Sequence, residues 1–134
     1  MKIFPARILF VYDASRYEAI LTLDFGVFVK KTLKIVDDED MPLSRSGDPR
    51  EVEAFRAAKR VAMELSLGKK CFAEVEESRK HVWASVFVCG QLDPCVHHRE
   101  IDGEMCFDVI SAIRESAKYG YNLESVGFVG GANG

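Results

Sequence analysis

Between Ala6 and Asp13, Ile8, Phe10 and Tyr12 alternate with Leu9 and Val11, so that both faces are apolar and the stretch predicts a central strand of a small barrel. After Ala14-Ser15-Arg16 the alternation resumes through Tyr17, Ala19, Leu21 and Leu23. It stops at Asp24-Phe25-Gly26, where glycine accommodates the positive φ of a hairpin turn. Val27, Val29, Leu33 and Ile35 carry period two onward to Val36, with Lys30 and Lys34 on the opposite face. The first part of the chain therefore predicts a three-stranded antiparallel meander.

The acidic run Asp37-Asp38-Glu39-Asp40 and the stretch from Met41 to Gly47 have loop chemistry. A helix start follows, with Asp48 as N-cap, Pro49 in the first helical position and Glu51 placed to return the cap's hydrogen bond. Val52, Phe55, Ala58, Ala62 and Leu65 share one helical face, and Gly68 ends the helix. Lys70 to Glu76 and His81 to Val88 predict strands four and five. Gly90 to Gly103 reads as a loop, and Met105, Val109, Ile113 and Ala117 predict a second helix from about Glu104 to Lys118. Beyond Ser125 the Gly-rich tail is expected to be loose, with Phe128 available to dock. The expected fold is mainly β with helices (α+β): a five-stranded barrel with a long helix after strand three and a C-terminal helix. Residues 1–125 form a single domain and residues 126–134 a flexible tail in this reading. The expected core contains Ile8, Phe10, Leu21, Leu33, Ile35, Phe55, Ala62, Val86, Val109 and Ile113.

Composition narrows the function classes. A chain of 134 residues, 48% hydrophobic and 29% charged, has the profile of one ordinary globular domain. Lys plus Arg number 18 against 21 Asp plus Glu, and a net charge of -3 excludes a broad electrostatic pull toward nucleic acid, so any such site is local. The amino terminus has no signal-peptide core and no apolar run reaches the length of a membrane span, so the expectation is a cytoplasmic protein without a membrane partner. Cys71, Cys89, Cys95 and Cys106 include no CxxC pair, and reduced thiols are the default.

Several segments resemble the staphylococcal-nuclease-like family of OB-fold barrels over roughly Ala6 to Tyr121. They are Val11-Tyr12-Asp13, Val36-Asp37, Glu53-Ala54-Phe55-Arg56, Leu67-Gly68-Lys69-Lys70, Phe107-Asp108-Val109 and Gly120-Tyr121. The resemblance implies an OB-like barrel and a phosphodiesterase site holding one Ca²⁺ between carboxylates, with a Glu near the attacking water and two Arg on the phosphate. A hard cation requires oxygen ligands, and the pentacovalent phosphate requires charge-assisted donors. Carried over by residue, it makes Asp13, Asp37 and Asp38 the metal candidates and leaves Glu39 or Asp40 near the water, with Asp40 the catalytic candidate. Ser15 stands where the family has a second carboxylate ligand. The two Arg positions fall at Thr32, beside Lys31, and near His81, beside Lys80, so Lys31 and His81 become the candidate phosphate contacts. Lys cannot reproduce the guanidinium fork, so full family activity is not expected.

What the resemblance implies is therefore a nuclease-like protein with most catalytic side chains replaced, acting by binding single-stranded DNA or RNA, or a protein partner. Its alternative is an active metal-dependent phosphodiesterase with a rearranged site. No cofactor is expected in the first case and Ca²⁺ in the second. Arg79, Lys80 and Lys70 are candidate nucleic-acid contacts. Other readings stay open. The acidic run is either a cation site or a solvated loop, and His81 either a catalytic group or a surface residue. Trp83, Phe87 and Phe72 either stack bases or pack the core. Cys89, Cys95, His97 and His98 have zinc-ligand chemistry but no standard finger spacing, and an ordinary loop is the plainer alternative.

Overall fold

A computed structural model describes residues 2–42, 47–78 and 81–129 of the chain. The meander consists of β1 (Lys2–Asp13), β2 (Arg16–Thr22) and β3 (Phe28–Ile35), so the first strand begins four residues earlier than its alternation suggested. β1 is long because two partners share it. Its first half pairs antiparallel with β4 (Cys71–Glu77), from Lys2 opposite Val75 to Ala6 opposite Cys71. Its second half pairs with β2, from Ala6 opposite Leu21 to Asp13 opposite Arg16. β5 (Val82–Cys89) lies antiparallel to β4 and parallel to β3, with Leu33 opposite Val82 and Ile35 opposite Ala84. This parallel seam closes a five-stranded mixed barrel in the order β1-β2-β3-β5-β4-β1, consistent with an OB-like barrel.

α1 (Pro49–Ser66) starts on the predicted signal: the Asp48 side chain accepts the Arg50 N–H at 2.9 Å, and proline supplies the first helical residue. It buries Ala58, Val61, Ala62 and Leu65 and packs on β1 and on the second helix. Leu67 leaves the helical region, and Gly68, at φ 70°, reverses the chain toward β4.

The C-terminal third corrects the sequence reading. Glu104 to Asp108 is not the first part of a helix. It is a strand, β7 (Glu104–Asp108), paired with β6 (His98–Ile101), which occupies the end of the expected loop. The two-residue turn between them is Asp102-Gly103, with φ 51° and 77°, the conformation that an Asp-Gly hairpin turn favours. α2 (Val109–Ala117) then starts from Asp108, whose side chain accepts the Ile110 N–H. β7 adds to β5 beyond the parallel seam, with Phe87 opposite Asp108 and Cys89 opposite Cys106, so the sheet has seven strands in all.

The main core fills the barrel and continues under both helices, with Tyr17, Leu33, Ile35, Leu65 and Ile113 fully enclosed. Nine of the expected core positions are buried or, for Phe55, half-buried, and Phe10 is the exception at 49% exposure. A β-bulge between Ile8 and Phe10 inserts an extra residue, so Ile8 and Val11 face inward while Phe10 and Tyr12 turn to the outer face. A second, small cluster of Phe72, Phe87, Ile101 and Cys106 lies on the outside of the barrel under the β6–β7 hairpin, and it places Phe72 and Phe87 in packing rather than on the surface. Near the carboxyl end, Val126 is fully buried and its carbonyl accepts the Asp93 N–H, while Phe128 packs against the main core. Residues 130–134 of the expected tail lie outside the described residues. Among the described residues, no helix is long and apolar enough to cross a membrane.

Candidate nucleic-acid interface

Strand register lines up a set of rings and cations on the outer face of β1, β2, β3 and β5. Arg16 on β2 is opposite Asp13 on β1 and Lys34 on β3, and Lys34 is in turn opposite Trp83 on β5. The inward neighbours Tyr17, Leu33 and Ala84 are buried, which fixes this row as outward. The adjacent row joins Phe10, Glu18 and Thr32. The bulged β1 adds Phe10 and Tyr12, edge to face with ring centroids 4.8 Å apart. A cation lies against Tyr12, Phe10 and Trp83: Arg16 is 5.2 Å from the Tyr12 centroid, Lys59 of α1 is 5.9 Å from Phe10, and Lys34 is 5.9 Å from Trp83. His81 meets Trp83 edge-on at 5.8 Å. Two acidic residues belong to the face: Asp13, whose Oδ2 is 3.9 Å from Arg16 Nη2, and Glu18. Glu18 accepts the Tyr12 hydroxyl at 2.7 Å and pairs with Lys30 at 3.0 Å, and these two contacts, the hydroxyl first, hold its carboxyl below the usual range. The same hydrogen bond raises the Tyr12 phenol.

The metal and water candidates gather where β1 and β3 end, next to this face, which Asp13 shares. Asp13 accepts the Ser15 N–H at 2.8 Å and so holds the β1–β2 turn. Asp37 adopts φ 58° as the chain leaves β3, and the Asp38 carbonyl accepts the N–H of the buried Met41. Arg114 on α2 reaches this loop and grips Asp40 with two bonds, Nε to Oδ2 at 2.7 Å and Nη2 to Oδ1 at 2.9 Å. It also donates to the Asp37 carbonyl at 2.7 Å. The guanidinium holds the Asp40 carboxyl below its usual range. Asp108 lies close enough to feel Asp37 and Arg114, and burial, the dominant effect, raises its carboxyl. Asp13 and Asp108 both act on the enclosed Tyr17, whose phenol burial pushes far upward and whose hydroxyl donates to the Ala14 carbonyl at 2.9 Å. The arrangement is an acidic end organised around one arginine. Among the described residues, no group of three or more His, Cys, Asp or Glu is disposed to hold a metal ion.

The remaining candidates are dispersed. Lys31 lines a cavity of about 570 Å³ at the barrel mouth, together with Phe4, Leu21, Leu23, Val29 and Val82. It precedes Ile35 by four strand residues, roughly 13 Å, in the direction away from Asp37 and Asp40. Lys70 is exposed and bound to Glu104, which raises its ammonium. Arg79 and Lys80 lie outside the described residues. The zinc reading loses His98, because its Nε2 accepts the Leu92 N–H at 3.0 Å and its Nδ1 contacts the Val96 carbonyl at 2.7 Å, engaging both ring nitrogens. Cys89 turns instead toward Cys106, and the exposed Cys95 sits in a turn closed by Asp93. Arg114 is the residue the sequence reading missed. No local signal marks it, since 74 positions separate it from Asp40.

The sequence matches no known protein-family model, and no significantly similar curated protein is found.

Proposed function

We propose that the protein binds single-stranded nucleic acid across the outer face of β1, β2, β3 and β5 and does not cleave it. The observation that carries this reading is the pairing of outward rings with cations: Phe10, Tyr12 and Trp83 offer flat apolar surfaces, and Lys59, Arg16 and Lys34 offer positive charge within reach of each. Single strands are held by these two elements, base stacking on aromatic faces and a positive track for the backbone. A local site of this kind is compatible with a net charge of -3. Binding without cleavage is favoured because both Asp40 oxygens are engaged by Arg114, while Lys31 lies well away from the acidic end. On this reading the chain is a nuclease-like OB barrel that has kept a binding surface and lost its chemistry.

The test is fluorescence anisotropy of labelled oligo(dT) and oligo(U) at about 50 mM salt, with the oligonucleotides then run on a gel after incubation with Ca²⁺ or Mg²⁺. Binding should weaken steeply as salt rises, because neutralised phosphates release counterions. Phe10→Ala or Tyr12→Ala should each cost about tenfold in affinity, near the low end of one base stack, about 1–3 kcal/mol. Lys34→Glu should reduce affinity and flatten the salt dependence. No anisotropy change at low salt would overturn the proposal and leave a protein partner. Cleavage abolished by EDTA and by Asp37→Ala would replace it with the phosphodiesterase alternative, with Asp13, Asp37 and Asp38 around Ca²⁺ and Asp40 near the water.

A further inference from the structure

Cys89 on β5 and Cys106 on β7 are directly opposite one another in adjacent antiparallel strands, and their Sγ atoms are 3.5 Å apart. Both are free thiols. The Gly90 N–H donates to the Met105 carbonyl at 3.0 Å, whereas the Cys89 N–H turns the other way, to Lys70 at 2.9 Å. The Cys89–Cys106 pair is therefore a non-hydrogen-bonded position, where facing Cα atoms approach to about 4.5 Å, inside the range that disulfides span. The two side chains share the outer face of the sheet, beside Phe87, while Val88 and Phe107 point into the core. Cys71 faces inward with Val88, and its thiol contacts the Lys69 carbonyl at 3.4 Å; Cys95 is exposed on a separate loop.

We infer that Cys89 and Cys106 form a modification site, a dithiol that closes reversibly into a disulfide clamping the β6–β7 hairpin to the barrel. The oxidant is a small-molecule disulfide. The half-exposed Cys89, as thiolate, attacks one sulfur of the reagent, giving a mixed disulfide and releasing one reagent thiol. Cys106 then loses its proton and attacks Cys89 Sγ, forming the protein S–S bond and releasing the second reagent thiol. Two electrons pass from the protein to the reagent, and a dithiol such as dithiothreitol reverses the sequence.

The neighbours set the pace. Burial, with the Cys106 contact and the Glu104 carboxylate adding to it, pushes the Cys89 thiol up to about 12, and Lys70 is tied to that carboxylate. Oxidation is thus slow at neutral pH and quickens about tenfold per pH unit while the thiolate remains the minor form. Glu104→Gln removes the negative charge beside the sulfur and frees Lys70, so it should speed the reaction severalfold at pH 8.

The experiment treats the reduced protein with oxidised glutathione at pH 8.5, counts free thiols and maps cross-linked peptides by mass spectrometry. Cys95→Ser, which lacks the exposed thiol that glutathione caps directly, should lose two thiols; it and wild type should both yield a peptide pair joining residues 89 and 106, and Cys89→Ser should yield no such pair. Should Cys106→Ser fail to fold, the peptide map of oxidised wild type still identifies the bond. All thiols persisting in Cys95→Ser, or a cross-link running through Cys95 or Cys71, would overturn the inference, as would an unchanged rate in Glu104→Gln for the role given to that carboxylate.

Discussion

At the start of α2, Asp108 accepts the Ile110 N–H, yet burial raises its carboxyl, so the cap favours the ionised form and the surroundings the neutral one. A carboxyl raised in the folded state binds protons that the unfolded chain has released, so stability falls as pH rises from about 4 through the raised value. Asp108→Asn retains a cap of equal quality and removes the buried charge. We expect its thermal midpoint at pH 7 to equal or exceed wild type, with a flatter profile above pH 4, whereas Asp108→Ala should lose about 1 kcal/mol with the cap. Equal losses in the two variants would show that the charge itself is needed. Asp40 has the opposite sign. Its lowered carboxyl contributes above its ordinary range, and the contribution disappears as pH falls through the lowered value. Because Arg114 and Asp40 are both substantially exposed, Arg114→Gln should cost no more than about 1 kcal/mol at pH 7, and the difference from wild type should shrink in acid-unfolding scans as Asp40 becomes protonated, leaving only the share of the Asp37 carbonyl bond.

Among the elements, the β6–β7 hairpin is held by its turn, and Gly103 at φ 77° occupies a backbone region that costs a side chain about 1–2 kcal/mol. Gly103→Val should lower the urea midpoint accordingly without altering the slope. The Asp102-Gly103 signal is visible in the sequence, but the spacing of Met105, Val109, Ile113 and Ala117 is equally visible and argues for one long helix. The structure divides that spacing between a strand and a helix joined at Asp108 with no intervening loop, so a helical period arises from two unlike elements. α1 was readable because Asp48-Pro49 acts locally. The outward turn of Phe10 was not, because the bulge follows from β1 bending to serve β4 and β2 in succession, a demand that no short window of sequence contains. The same limit applies to the candidate interface, whose rings and cations come from four strands and a helix, and to Arg114, which reaches the acidic loop through the tertiary fold.

For the molecule as a whole, the barrel depends on one short parallel seam, since β3 and β5 are joined by α1 and β4 rather than by a turn. Leu33, wholly enclosed at that seam, should cost about 2–5 kcal/mol when replaced by alanine, measured by chemical unfolding. The meander and the β4–β5 hairpin are pairings of near neighbours, which form quickly, whereas the seam must first close a long loop. Its position has a practical consequence, because the single tryptophan of the chain, Trp83, is the residue facing Lys34 across it. The protein thus contains an intrinsic clock for its own assembly. In stopped-flow refolding, indole emission should lag behind the far-ultraviolet signal of the early strands, and the interval between the two traces times the moment when an open curved sheet becomes a ring.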